Sequence, residues 1–484
     1  MKLDTMPHAG AATRVAGSAA AATTIAKRGG TSGFTRARRV AAGLVLATLA
    51  AAAPARAADL MVLYSFTNVA TGAGAVNFNR PGAGLTIDAA GNLYGAAQFS
   101  GTSSYGTVFQ LARQGDGSYA APTAVVTFTS STGPRSPNLN PVTLDAQGNI
   151  YGATYLGGAN NYGAVYEIAA GSGIATTLAS FANSTAAGSA GYSPRGAVIR
   201  AADGTLWGTA ASGGGGNGGT VYKVTPGAGQ ATVVATFGQN GLAGANPYSS
   251  GLVADAQGNL YGATYSGGAG SAGTLFKVDT TAGTVTTLAA FAGGAGGANP
   301  YGPLAVDGQG NLFGTTNYGG TGGGLGYGTV FELAAGSSTI TTLASFDGST
   351  TGSGGRGVIV DAAGNLFGTT FNGTGGSNGP TGGAVWELAA GSSTLTTLAS
   401  FSNTGTGPRN QYGGLVADAA GNLYGASYNG GMSGIGTVFK LTNTGYVAPA
   451  VPEPASWAMM IVGVGAVGGT LRRRKVATRV SCAA

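Results

Sequence analysis

Histidine and cysteine do most of the nucleophilic and acid–base work near neutral pH, and here they stand only at the ends of the chain. The one histidine is His8 and the one cysteine is Cys482. Between them there is no material for a Ser-His-Asp triad, a cysteine nucleophile, a disulfide or a Cys-rich zinc site. What remains for chemistry is carboxylate and guanidinium. Asp88, Asp145, Asp255, Asp307, Asp361 and Asp418 each stand three residues before a turn glycine. Six recurring carboxylates would suit calcium or acid–base work. The third copy argues otherwise, because it carries Ala201 at the aligned position and Asp203 beside Gly204. A displaced Asp still closes an Asx-type turn but does not keep a ligand geometry. The D-x-D-x-D spacing of calcium loops is also missing. These aspartates are therefore expected to make turns, and no metal or cofactor is expected. Glu167, Glu332 and Glu387 share one repeat position with Lys223, Lys277 and Lys440, the mark of a solvated strand face. The glycine-rich stretches, such as 213–219 and 319–328, lack the G-x-x-x-x-G-K-[ST] pattern of a phosphate cradle.

Arginine gives the sharper candidate. Arg80, Arg135, Arg195, Arg356 and Arg409 are five of the seven arginines between residues 58 and 450, and each falls in a loop leading into a repeat. Asn246-Pro247-Tyr248 and Asn299-Pro300-Tyr301 fill the two remaining loops. Other loops expected on the same side bring Asn160, Asn161, Tyr162, Asn217, Tyr327, Asn372 and Asn429. Arg80, Arg135, Arg195, Tyr248, Tyr301, Arg356 and Arg409 form the candidate ligand-binding set, suited to hydroxyl-rich or anionic partners because Arg pairs bidentately with carboxylates. The same residues also fit a purely structural use, with each arginine tying down its loop. Both readings stand at this point.

The elements that position these residues come from a sevenfold repeat. The cue G-N-L-Y-G or a close relative begins at Gly91, Gly148, Gly204, Gly258, Gly310, Gly364 and Gly421, with spacings of 57, 56, 54, 52, 54 and 57 residues. Each unit holds four short strand-like runs, seen in Gly251–Asp255, Leu260–Thr264, Gly328–Leu333 and Thr341–Phe346. Four strands bounded by Gly, Asn and Ser turns, repeated at this period, predict a β-propeller blade. Three positions per unit are aromatic in every copy, giving 21 of the 40 aromatic residues. They are expected to pack between blades, with sugar stacking as the other use of such rings. Met61–Phe66 is a fourth-strand run that precedes the first unit, and the last unit, 413–441, lacks its fourth strand. The predicted fold is thus all-β: a seven-bladed propeller over 58–443, closed by its N-terminal strand so that no blade edge is left open. Residues 444–450 read as a linker.

Glycine is 93 of 484 residues, and the formal charge of +7 misleads. Residues 1–57 carry eight Lys/Arg and one Asp (+7), residues 451–484 carry five and one (+4), and residues 58–450 carry ten and fourteen (−4). The body is mildly acidic, so its pI is no argument for nucleic acid. Residues 40–53 form an uncharged run behind Arg36, Arg38 and Arg39, followed by Ala55-Arg56-Ala57. That is a secretory signal peptide with a long basic lead, cleaved after Ala57. At the other end stand Val451-Pro452-Glu453-Pro454, an uncharged 17-residue segment Ala455–Leu471 of transmembrane length, and Arg472-Arg473-Arg474-Lys475. A cytoplasmic tail, 476–484, follows.

The V-P-E-P, apolar helix, arginine-cluster order resembles the PEP-CTERM sorting signal of Gram-negative bacteria over residues 451–475. The resemblance implies recognition by an exosortase-type membrane enzyme, a transient inner-membrane anchor, and a cell-surface setting rich in exopolysaccharide. The same tail bears the label ice-binding protein C-terminal domain, which describes the tail and no activity. The D-A-x-G-N-L-Y-G and G-T-V-F cues resemble the GloVer tandem repeat of exported bacterial proteins, which brings no catalytic residues. The expectation is a surface-sorted, non-catalytic binding or structural module, with exopolysaccharide or a surface protein as partner. A glycosidase or lyase on a propeller scaffold is the rival, although two carboxyls at defined separation are not recognisable, and a protein–protein scaffold is the third reading.

Overall fold

The computed structural model describes residues 58–449 apart from 68–77, 83, 101–103, 131, 138–140, 187, 239–243, 248–250, 323–325, 374–380 and 403–405. The chain separates into two units, Met1–Ala52 and Ala53–Ala484, and the described residues belong to the second. The expected signal peptide, the sorting signal with its helix 455–471, and the tail lie outside the described residues. Among the described residues no helix is long and apolar enough to cross a membrane.

One blade shows why these residues form these strands. Blade 4 consists of Val253–Ala254, Leu260–Thr264, Thr274–Asp279 and Thr284–Ala290, paired in that order. Leu275, Phe276 and Val278 are all buried on the third strand, so it lacks the simple alternation of a one-sided sheet. Both of its faces meet a neighbouring blade. Gly262 lies opposite Phe276, and a Cβ built on it would stand 2.4 Å from that ring. The same approach recurs at all seven copies of the cue, at 2.4–2.5 Å. The repeat glycine is therefore the gap that admits the third-strand aromatic of its own blade.

Seven such blades follow one another, and in blades 2, 3 and 5 a further short strand, Pro134–Pro137, Tyr192–Pro194 or Ala298–Pro300, also pairs with the second strand. The last is Val416–Ala417, Leu423–Ser427, Thr437–Thr442 and, from the other end of the chain, Asp59–Ser65. Asp59 pairs with Thr442, Val62 with Phe439 and Ser65 with Thr437, with a bulge between Val62 and Tyr64. A register shift breaks the third-to-fourth strand pairing in each of the other six blades. The N-terminal strand thus behaves as a regular fourth strand.

Closure is recorded in the core. Seven apolar clusters exist, each shared by two successive blades, and one of them joins Tyr424, Ala426 and Val438 of blade 7 to Leu85, Leu93 and Phe109 of blade 1. At every boundary the phenylalanine at the end of the fourth strand meets the third-strand aromatic of the next blade. Phe66–Phe109, Phe128–Tyr166, Phe181–Tyr222, Phe237–Phe276, Phe291–Phe331, Phe346–Trp386 and Phe401–Phe439 lie 4.9–5.6 Å apart between ring centroids. These are edge-on or tilted arrangements, the favoured geometry for aromatic pairs.

The expected linker is not one along its described length. Thr444 is buried and donates from its hydroxyl to Gly421 O at 2.8 Å. Tyr446 packs against Phe367, and Val447 N–H donates to Asp361 Oδ2 at 3.1 Å. The chain runs back over the turns of blades 6 and 7 because Tyr446 offers a ring to an apolar boundary.

Candidate functional site

The inter-blade loops emerge on the same side as the loops between second and third strands. All seven share one conformation. A residue in the left-handed region heads each: Arg80, Ser136, Ser193, Asn246, Asn299, Gly354 and Asn410, with φ between 54° and 68°. Each donates its backbone N–H to a carbonyl of the preceding blade at 2.6–3.0 Å, from Arg80 onto Ile435 O to Asn410 onto Gly382 O. In five copies a proline follows and rests on a glycine at the start of the neighbour's third strand, as Pro247 does on Gly219. This hinge sets the true alignment of the loops.

Counted from the hinge, the expected ligand set divides in three. Arg80 is itself the hinge residue. Arg135 and Arg409 stand one residue before it. Arg195, Tyr301 and Arg356 stand two after it, and Tyr412, passed over in the sequence, shares their position. Tyr248 lies outside the described residues. The described candidates reach one rim but do not form a ring of equivalent groups, because matching arginine to arginine ignored the hinge.

The arginines lie against aromatic rings, mostly of a neighbouring blade. Arg80 Cζ is 5.0 Å from the Tyr428 centroid, and its Nη1 donates to the Tyr428 hydroxyl at 3.0 Å. Arg135 lies 5.2 Å from Tyr105 and donates from Nε to Asn161 Oδ1 at 3.0 Å. Arg195 lies 4.1 Å over Tyr155. Arg356 is 7% exposed, sits 4.1 Å from Tyr301 and 4.7 Å from Phe371, and donates from Nη1 to Asn317 Oδ1 at 2.9 Å. Burial pulls its pKa down from the usual arginine value. Each stack is worth about 0.5–2 kcal/mol, more when desolvated. Tyr265, Tyr301, Arg356, Phe371, Tyr412, Tyr428, Arg80 and Phe99 make one unbroken chain of ring and cation contacts from blade 4 to blade 1. Arg409 pairs in a short strand with Asn429. Of the loop asparagines, Asn161 and Asn217 accept from Gly157 and Gly213 and so brace their own turns.

The opposite face carries the aspartates. Each of the six repeat aspartates accepts the N–H groups two and four residues on, and its second oxygen accepts the side-chain amide of the asparagine four residues on. Asp88, Asp145, Asp255 and Asp418 also accept from the tyrosine six residues on. In the third copy Asp203 closes a smaller turn with Thr205. These carboxylates are turn caps. Burial raises Asp145, Asp255 and Asp418, but the asparagine, tyrosine and backbone donors outweigh it and hold all three below the usual carboxylate range. Asp347 is held lower still by Thr350, Thr351 and Ser349. Depressed carboxylates add stability that is complete above their unfolded value of about 4 and is lost as pH falls through their folded values. Glu387, raised by burial and by Asp361, works the other way but alone. The melting temperature is therefore expected to hold from neutrality to about pH 5 and to drop steeply below about pH 4; a melting curve unchanged at pH 3 would contradict the capping role.

Residues 184–379 match the Gloeobacter/Verrucomicrobia repeat, and residues 450–475 match the PEP-CTERM protein-sorting motif. The chain carries a PEP-CTERM sorting motif and Gloeobacter/Verrucomicrobia repeats. Val451–Pro454 and Arg472–Arg474 lie inside the matched motif. The PEP-CTERM protein is exported and sorted to the surface in a Gram-negative bacterium, and the motif implies recognition by an exosortase, a membrane enzyme. No curated protein matches it. Among solved structures it is similar to a fungal alcohol oxidase in complex with copper, at 16% identity over 82% of this chain and 78% of that one, TM-score 0.49. It is also similar to a gluconolactonase from Xanthomonas campestris, at 16% identity over 81% and 98%, TM-score 0.35. A polysaccharide lyase, an ulvan lyase, is similar at 10% identity over 78% and 94%, TM-score 0.43. Likenesses this remote say nothing of chemistry.

Apart from Tyr301, the aromatic platforms were missed in the sequence of this PEP-CTERM protein, yet a signal was there. Tyr155, Tyr265, Phe371 and Tyr428 each stand four residues after a second-strand aromatic. Even spacing along a strand puts both rings on one face.

Proposed function

We propose that this exported propeller is a non-catalytic binding module for acidic polysaccharide of the surface matrix, engaged through its arginine rim. The observation that carries the reading is the run of stacked cations across several blades. A guanidinium that gives its face to a ring keeps N–H donors in its plane for a carboxylate. Arg80 is exposed and Arg135 and Arg195 are half-buried, so all three are partly open to solvent, with Arg135 holding Asn161 Oδ1 through Nε and Nη2. Arg356 is buried and serves the rim from beneath. The engagement of the repeat aspartates in their turns supports the non-catalytic part of the reading, since an acid–base pair needs carboxyls free to exchange protons with substrate.

The test is binding of the protein recovered from the cell surface to alginate or another uronate polymer. Replacing Arg80, Arg135 and Arg195 together by alanine is expected to weaken binding by at least about 100-fold, since a charge-assisted hydrogen bond is worth ~1.5–3 kcal/mol. Binding should also weaken as salt rises. Retained affinity in the triple variant would overturn the rim as the site. Release of reducing ends or unsaturated sugars by the wild-type protein would replace a binding module with an enzyme.

A further inference from the structure

The third repeat departs from the other six at one boundary. The position just before the aligned aspartate is Ile87, Leu144, Val306, Val360 and Ala417 in five copies, and each of these packs into the apolar cluster shared with the preceding blade. In blade 4 it is Ala254, and in blade 3 it is Arg200. A guanidinium cannot join an apolar cluster, so the boundary between blades 2 and 3 stays open there. The result is a cleft of about 360 Å³ whose walls include Tyr151, Glu167, Leu178, Arg200, Leu206 and Pro226. That volume falls within the usual range for small-molecule sites, about 300–1,000 Å³. It lies on the face of the aspartate turns, opposite the arginine rim.

The polar groups of the cleft are arranged but not used up. Tyr151 has one hydroxyl proton and two acceptors in reach, Asp145 Oδ2 and Glu167 Oε1, each at 3.1 Å. Asp145 is otherwise consumed by its turn, which leaves Glu167 with acceptor capacity. Arg200 sits with its Cζ 5.6 Å from the Tyr151 centroid and its Nε 3.9 Å from Asp145 Oδ2, too far for a hydrogen bond. Its side chain is 32% exposed, while that of Asp145 is 4% exposed. Donors on Arg200 and an acceptor on Glu167 thus face a space with apolar walls from Leu178, Leu206 and Pro226.

We propose that the cleft between blades 2 and 3 binds one neutral sugar unit. A hydroxyl both donates and accepts, so vicinal hydroxyls satisfy Glu167 and Arg200 together while the ring carbons cover the apolar wall. An anionic ligand meets Asp145 and Glu167 as like charges, and an ammonium meets Arg200. The site is separate from the rim, and neither reading depends on the other.

The test is titration of the exported protein with glucose, galactose and mannose, beside glucuronate and glucosamine, followed by calorimetry or ligand-observed NMR. At least one neutral hexose is expected to bind with a dissociation constant at or below ~10 mM, the range reached by a few hydrogen bonds over a small apolar face. Arg200→Leu restores the residue class of the other copies, so the variant is expected to fold and to bind at least tenfold more weakly. Glu167→Gln supplies a second variant, with a similar loss, should the first fail to fold. Alanine at Arg80, Arg135 and Arg195 is expected to leave hexose binding unchanged. The proposal is overturned if no neutral hexose binds at ~10 mM, if both cleft variants bind as the wild type does, or if glucuronate or glucosamine alone binds.

Discussion

A protein in which the expected signal peptide, residues 1–57, is rejoined at Thr67, so that Ala58–Phe66 is deleted, is expected to lose its cooperative melt and become protease-sensitive throughout the body. The lost segment contributes six paired residues to blade 7, each hydrogen bond worth ~1 kcal/mol net. It also contributes Phe66, fully buried between Phe78 and Phe109, and removal of a buried Phe side chain costs ~3–5 kcal/mol. The sum, on the order of 5–10 kcal/mol, rivals the whole stability of an ordinary domain, ~5–15 kcal/mol. The loss is not local, because blade 1 packs against this strand and blade 7 is left with a bare edge. A synthetic peptide spanning residues 58–67, added in excess, is expected to restore protection. A truncated protein that melts within a few degrees of the full one would show that closure is not what holds the ring.

The second large effect concerns the repeat glycine and the ring above it. Phe276→Ala removes a fully buried side chain and is expected to cost ~3–5 kcal/mol. Gly262→Ala places a methyl 2.4 Å from Phe276 Cζ and 3.0 Å from Leu252 Cδ2, an overpacking expected to cost ~1–3 kcal/mol. The double variant is expected to be less destabilised than the sum, by at least ~1 kcal/mol, because the methyl then enters the space the ring has left. Urea denaturation of the four proteins closes the cycle. Additive losses would mean that the glycine serves strand conformation and not the ring.

The blades were legible in the sequence because identical packing needs identical residues. Gly262 and an aromatic at the position of Phe276 recur as a pair in every copy, and Met61–Phe66 standing ahead of the first unit gave away the seam. The rim was legible only by composition. Its hinge is Arg, Ser, Asn or Gly, since each of these was accepted at a left-handed φ, and so varied a position leaves no motif to align. Arg80 and Arg356 look equivalent when arginines are matched, yet one is the exposed hinge and the other is buried two residues beyond it. The cleft was hidden for another reason. The irregular third copy, with Ala201 and Asp203, was visible as a turn variation, but its neighbour Arg200 acquires meaning only against Glu167 and Asp145 of a different blade.

The seam also bears on how the protein comes into being. Asp59 and Thr442 must meet before the last blade exists, and Asp59 Oδ2 accepts from Asn443 Nδ2 at 2.6 Å just beyond the final strand. Joining such distant partners is slow, because a long loop must close before any contact repays it. During vectorial delivery the leading strand has nowhere to dock until nearly the whole polypeptide has emerged. An interrupted or trimmed product is therefore expected to stay unlatched and more open to proteases than an intact one. An intact one brings the two ends of the propeller together at a single joint.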